Sequence, residues 1–134
     1  MRFMMIVKAS KESEAGVMPD PKILEEMGKF NDSMLKAGVM LAGDGLQASS
    51  KGARVRYEGD RRTIIDGPFA ETKELIAGYW IIQVKSKAEA IEWARRVPFV
   101  EGEVELRQLF ELEDFGDTGG LDQHREHREQ LGKK

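Results

Sequence analysis

The 134-residue chain has no cysteine, and its two histidines, His124 and His127, both lie close to the C-terminal end. Without cysteine there is no disulfide, thiolate metal site, iron–sulfur cluster or Cys nucleophile, and the composition suits a reducing compartment. A body without His or Cys also excludes a core His-based triad, a His₂-carboxylate iron site and a His₃ zinc site. Acid–base chemistry there falls to carboxylates, Lys or Tyr. No GxGxxG or GxxxxGK[ST] pattern occurs, so a glycine-rich phosphate loop is not expected. The balance of 21 basic and 24 acidic side chains leaves a net charge of −3, which argues against direct nucleic-acid binding through a basic face. The opening MRFMMIVKAS is too short to span a bilayer and lacks a small-residue cleavage site. The expectation is a cytoplasmic protein with no membrane association.

What is present reads as one α+β domain. Arg2 to Val7 is rich enough in Ile, Val and Phe for a strand, and Lys8 to Met18 reads as loop. Asp20-Pro21 supplies an N-cap and a first-turn proline. Ile23, Met27, Phe30 and Met34 then recur at helical spacing until Gly38, predicting a helix over 21–37 with Met27 and Met34 as core. Val39 to Leu46 reads as a strand. Residues 54–57 and 62–66 read as a hairpin across Glu58-Gly59-Asp60-Arg61, and Ala77 to Val84 as the central strand. Ser86 with Glu89 forms a capping box for a second helix, closed by Pro98. Glu103 to Leu112 alternates as a last strand, with Val104 and Leu106 opposite Glu105 and Arg107.

The order β-α-β, hairpin, β-α-β predicts a ferredoxin-like antiparallel sheet with both helices on one face. The uncovered face is most economically closed by a second copy, giving a homodimer with its sheets face to face. A domain over 1–112 and a charged tail over 113–134 follow. His124 and His127 lie on one helical face of that tail, at half-site spacing for a metal, but a frayed or solvated terminal helix is the favoured reading.

Two segments are candidates for chemistry. In DGPFAETKE (66–74), Asp66 ends a strand, Gly67-Pro68 sets the local backbone and Phe69 offers an apolar wall. This reads either as a loop capping a pocket, with Asp66 as acid or base and Lys73 as anion partner, or as a turn with surface charges. Gly43-Asp44-Gly45 allows the backbone to approach a ligand closely, or forms a turn or bulge. If Asp44 and Asp66 converge, they form a carboxylate pair able to move a proton. Arg54, Arg56 and Arg107 are candidate anion partners or solvated sheet residues, and Trp80 and Trp93 are expected in the core or a dimer interface. The candidate site therefore comprises Asp66, Asp44 and Lys73 as catalytic groups. Gly43, Gly45, Leu46, Pro68, Phe69 and Arg107 would bind a small molecule, with no cofactor and no metal.

These same segments carry a resemblance. Ala37-Gly38-Val39, Gly43-Asp44-Gly45-Leu46-Gln47, the 66–74 block, Gly78-Tyr79-Trp80, Ala90-Ile91-Glu92-Trp93-Ala94 and Val104-Glu105-Leu106-Arg107 occur in order. By them the chain, from Arg2 to about Leu112, resembles the YCII-related superfamily and its subgroup named for the Asp-Gly-Pro-Phe motif. The resemblance implies a ferredoxin-like fold dimerised through its sheets, akin to muconolactone isomerases and other dimeric α+β barrel enzymes, in a group with no established reaction. It also implies a His–Asp pair. Aligned on Gly38 and Pro98-Phe99, its two positions hold Met27 and Val97 here. Proximity of such proteins to extracytoplasmic-function sigma factors implies a second role, as an accessory to a sigma factor or another transcription partner.

Overall fold

The computed structural model describes residues 1–116 and 119–132. Strands β1 (Arg2–Lys8), β2 (Met40–Gly45), β5 (Ile76–Gln83) and β6 (Val104–Gln108) form one antiparallel sheet in the order β2-β5-β1-β6. Strands β3 (Ala53–Glu58) and β4 (Arg61–Asp66) pair separately as a two-stranded hairpin. This is the ferredoxin-like order with the hairpin inserted between its halves.

Two helices lie on one face. In α2 (Pro21–Lys36), Asp20 Oδ1 accepts the Lys22 N–H at 2.8 Å and Pro21 fills a position whose N–H needs no partner. Gly38, at φ 72°, ends that helix in the left-handed conformation. In α3 (Lys87–Arg95) the Ser86 hydroxyl accepts Glu89 N–H, but the reciprocal half of the expected box is displaced. Glu89 reaches one residue further back and accepts Lys85 N–H at 2.9 Å. Phe30 and Met34 of α2, with Ala90 and Trp93 of α3, bury against Phe3, Met5, Trp80 and Ile82 of the sheet. Phe30 meets Trp80 and Trp93 edge-on, so both tryptophans are core residues.

The register sorts the other side chains. Met5, Trp80, Gly43 and Leu106 pair across the sheet on the helix side. By strand alternation Met4, Ile6, Ile81 and Ala42 face away from the helices, with Asp44, Tyr79, Glu105 and Arg107 around them.

Three local expectations are corrected. The stretch 8–18 is not all loop: Ser10 and Ser13 cap each other reciprocally around a short helix α1 (Lys11–Glu14). Gly43-Asp44-Gly45 is neither turn nor bulge but regular strand; the irregularity sits earlier, between Met40 and Ala42. The last strand stops at Gln108, and Leu112–Phe115 forms a 3₁₀ turn, because Glu111 and Asp114 cap it. The tail carries helix α4 (Asp122–Gly132); its residues 117–118 and 133–134 lie outside the described residues.

Candidate functional site

Three sheet positions opposite the N-terminal half of α2 lack side chains. Gly43 pairs with Trp80 and Gly45 pairs with Gly78, so all three glycines lie on the helix side at one corner of the sheet. The missing side chains leave a cavity of about 370 Å³ between α2 and the β2–β5 edge. Its walls are apolar: Val7, Ile23, Leu24, Met27, Trp80 and Phe99, with Pro19 and Ala77. Asn31 brings a polar side chain to it, while Asp44 and Tyr79 border it from strand positions whose side chains lie on the opposite sheet face.

The glycines differ in what they tolerate. A Cβ at Gly43 would stand 2.6 Å from Trp80 Cδ1, and one at Gly78 would stand 3.1 Å from the Asp44 carbonyl oxygen. A Cβ at Gly45 meets nothing within 4 Å and would project into open space. The polar groups are already oriented. Tyr79 Oη donates to Asp44 Oδ2 at 3.1 Å, and Trp80 Nε1 donates to Asn31 Oδ1 at 2.9 Å. The hydrogen bond to Asp44, reinforced by its negative charge, pushes the Tyr79 phenol pKa above its usual range. Tyr79 therefore keeps its proton and acts as a donor, while Asp44 retains lone pairs for another partner.

The 66–74 loop is built differently. Phe69 N–H donates to Ser49 Oγ at 3.0 Å, and the Ser49 hydroxyl and N–H both donate to the Glu14 carboxylate. Those bonds hold the Glu14 carboxyl below its usual range, the side-chain bond contributing most. Gly67 sits so close to the Ser49 carbonyl oxygen that a Cβ there would come within 1.8 Å of it. The Gly67–Pro68 peptide is cis. Arg54 lays its guanidinium 3.8 Å from the Phe69 ring centroid. The Asp66 carboxylate and the Lys73 ammonium are exposed and make no hydrogen bond or ion pair among the described residues.

The candidate residues thus fall in three places. Gly43, Asp44 and Gly45 line the cavity under α2. Asp66, Pro68, Phe69 and Lys73 belong to the hairpin end, and no hydrogen bond or ion pair joins Asp66 to Asp44. Arg107 lies on the sheet face away from the helices, where its Nη1 stands 3.4 Å from Glu105 Oε2; Leu46 follows β2 and is exposed. Tyr79, Asn31, Trp80 and Met27 join the cavity without having been read as site residues. The glycines at 43, 45 and 78 are the sequence signal that points to them. Met27 and Val97 part company: Met27 lines this cavity, and Val97 is buried in the core beside a different cleft. Among the described residues there is no group of three or more His, Cys, Asp or Glu placed to hold a metal ion. No helix among them is long and apolar enough to cross a membrane.

A split β-α-β sheet with two helices on one face and an apolar cavity beneath the first helix defines a small ferredoxin-like α+β protein. The YCII-related domain matches residues 1–113, and the chain belongs to that family. A relative from Rhizobium meliloti (strain 1021), "Uncharacterized protein R00369", is 29% identical over 76 residues. That match takes in 57% of this chain and 61% of the relative, so the chain spans about three-fifths of the relative's length.

Proposed function

We propose that the protein is a homodimer that binds a small, largely apolar molecule in the cavity under α2. Asn31, whose amide oxygen already accepts from Trp80 Nε1, is the polar side chain that meets it. The observation that carries this reading is a glycine-floored apolar cavity with one amide, Asn31, oriented at it by the Trp80 indole. A metal-independent proton transfer of the isomerase or lyase kind would fall instead to Asp44 as base, held by Tyr79, on the opposite face of the same strands. The dimer joins the sheet faces that carry Met4, Ile6 and Ile81, covering Arg107 as well. Asp66 and Lys73, flanked by Pro68 and Phe69, remain a second acid and cation, on the loop whose Asp-Gly-Pro-Phe motif supports a place in the subgroup of that name. The same reading places the protein in the cytoplasm.

Titration with 2-naphthol, followed by calorimetry, tests the cavity. The native chain should bind saturably, Met27→Trp should weaken binding at least tenfold by filling the space, Asn31→Leu should weaken it less, and Asp44→Asn, on the other sheet face, should leave it unchanged. Equal binding by native and Met27→Trp protein refutes the site. A sigma-factor accessory role would instead survive Met27→Trp, with the partner recovered equally well by both forms.

A further inference from the structure

Helix α4 folds back against the segment after β6 and encloses a second cavity, of about 450 Å³, most of whose lining lies beyond the residues the family matches. We propose that this cavity is a binding site for a small aromatic carboxylate, separate from the cavity under α2.

The walls are suited to a flat ring. Phe110 and Phe115 stack with centroids 4.9 Å apart, and the two imidazoles of His124 and His127 stand edge-to-face at 6.2 Å. The i,i+3 spacing puts both imidazoles on the helix face that carries Leu131. The chain itself does not close this face: α4 buries no residue, while Phe110 is 67% and Leu131 63% exposed. A volume of this size is in the range of small-molecule sites.

The charge selects an anion. Arg2 takes the Glu111 carboxylate with a two-pronged contact at 2.8 and 3.1 Å. Arg128 shares that carboxylate at 3.2 Å and gives a second bond to the Phe110 carbonyl at 3.3 Å. Both Arg128 bonds are longer than the ~2.7–2.9 Å of a strong charge-assisted bond. Two guanidinium groups thus converge on the single carboxylate of Glu111, while Glu113 and Glu129 line the neighbouring cleft with Arg128. A guanidinium has more donors than Arg128 spends here, and their planar fork matches a carboxylate. An aromatic acid therefore places its ring among the phenyl and imidazole groups and its carboxylate on Arg128.

The two histidines are the only ones in the chain, so their ring C–H proton signals report on this cavity alone. Full-length protein at one fixed pH is titrated with 1-naphthoate and, separately, with the neutral 1-naphthalenemethanol. Saturable shifts of both histidine signals are expected, with 1-naphthoate at least tenfold tighter than the alcohol. Arg128→Gln should abolish that preference, and Met27→Trp should leave it intact, which separates this site from the cavity under α2. Should Arg128→Gln detach the helix, Phe115→Leu, which removes the stacked ring and keeps the apolar wall, should weaken 1-naphthoate binding while retaining the preference. Unmoved histidine signals, equal affinity for acid and alcohol, or histidine shifts that follow protein concentration without any probe overturn the proposal. The last of these would mark the cavity as a contact between copies.

Discussion

At the scale of single residues, the glycines differ sharply in what a side chain would meet. Gly43 and Gly78 are required by close contacts, and Gly45 is the one whose side-chain direction is open. Gly67 is the tightest of all, because the atom its Cβ would meet is a backbone carbonyl that cannot rotate away. Gly67→Ala should therefore destabilise the fold by about 1–3 kcal/mol, the ordinary cost of overpacking. Gly45→Ala should cost less than half as much. Thermal unfolding of the two variants side by side checks the contrast, and equal melting temperatures would contradict the packing described around Ser49. The glycines were visible in the sequence as turn formers, yet their role depends on strand register, which the local pattern does not carry. Asp44 was legible as a candidate because it lies between two of them. Glu14 was not, since its partner Ser49 is distant in the chain and meets it only after folding.

At the scale of elements, α2 and the sheet strands could be read from periodicity, caps and Gly38, because those signals are local and mutually consistent. The short α1 and the early end of β6 escaped because pairs of small polar caps, Ser10 with Ser13 and Glu111 with Asp114, decide them rather than an apolar stripe. Helix α4 is tied to β1 through Glu111, which Arg2 and then Arg128 hold ionised, keeping its carboxyl pKa below the ordinary 4.5 in spite of partial burial. The sign follows from that depression. The contribution to stability is complete above about the ordinary glutamate value and is lost as pH falls below it through the folded-state pKa. Native protein should exceed Glu111→Gln in stability by a constant margin near neutrality. That margin should shrink as pH drops below 4.5, and urea unfolding at a series of pH values measures it. A margin independent of pH would contradict the ion-pair account.

At the scale of the whole molecule, one sheet face is buried by two helices and the other carries Met4, Ile6 and Ile81 without a covering layer. The hairpin likewise leaves Val55, Tyr57 and Ile64 exposed, and a two-stranded ribbon has little stability of its own. Both facts favour a second copy against the sheet. Ile6→Glu should shift the protein to monomer in sedimentation equilibrium while leaving its helical circular dichroism unchanged. A native chain that sediments as monomer at micromolar concentration would contradict the dimer. The fold class was legible because element order and apolar alternation are properties of the chain. The convergence of side chains into a cavity was not, because it depends on which strands become neighbours.

The central claim is that the space under α2 receives a small molecule. The most direct measurement is a methyl-resolved spectrum of methionine-labelled protein during titration with 2-naphthol. Met27 lines the cavity, Met34 is fully buried in the core and Met18 is 79% exposed, so the three methyl groups separate the outcomes. A saturable shift of the Met27 signal is expected, with Met18 unmoved and Met34 changed little. A stationary Met27 signal at probe concentrations that saturate binding would contradict it.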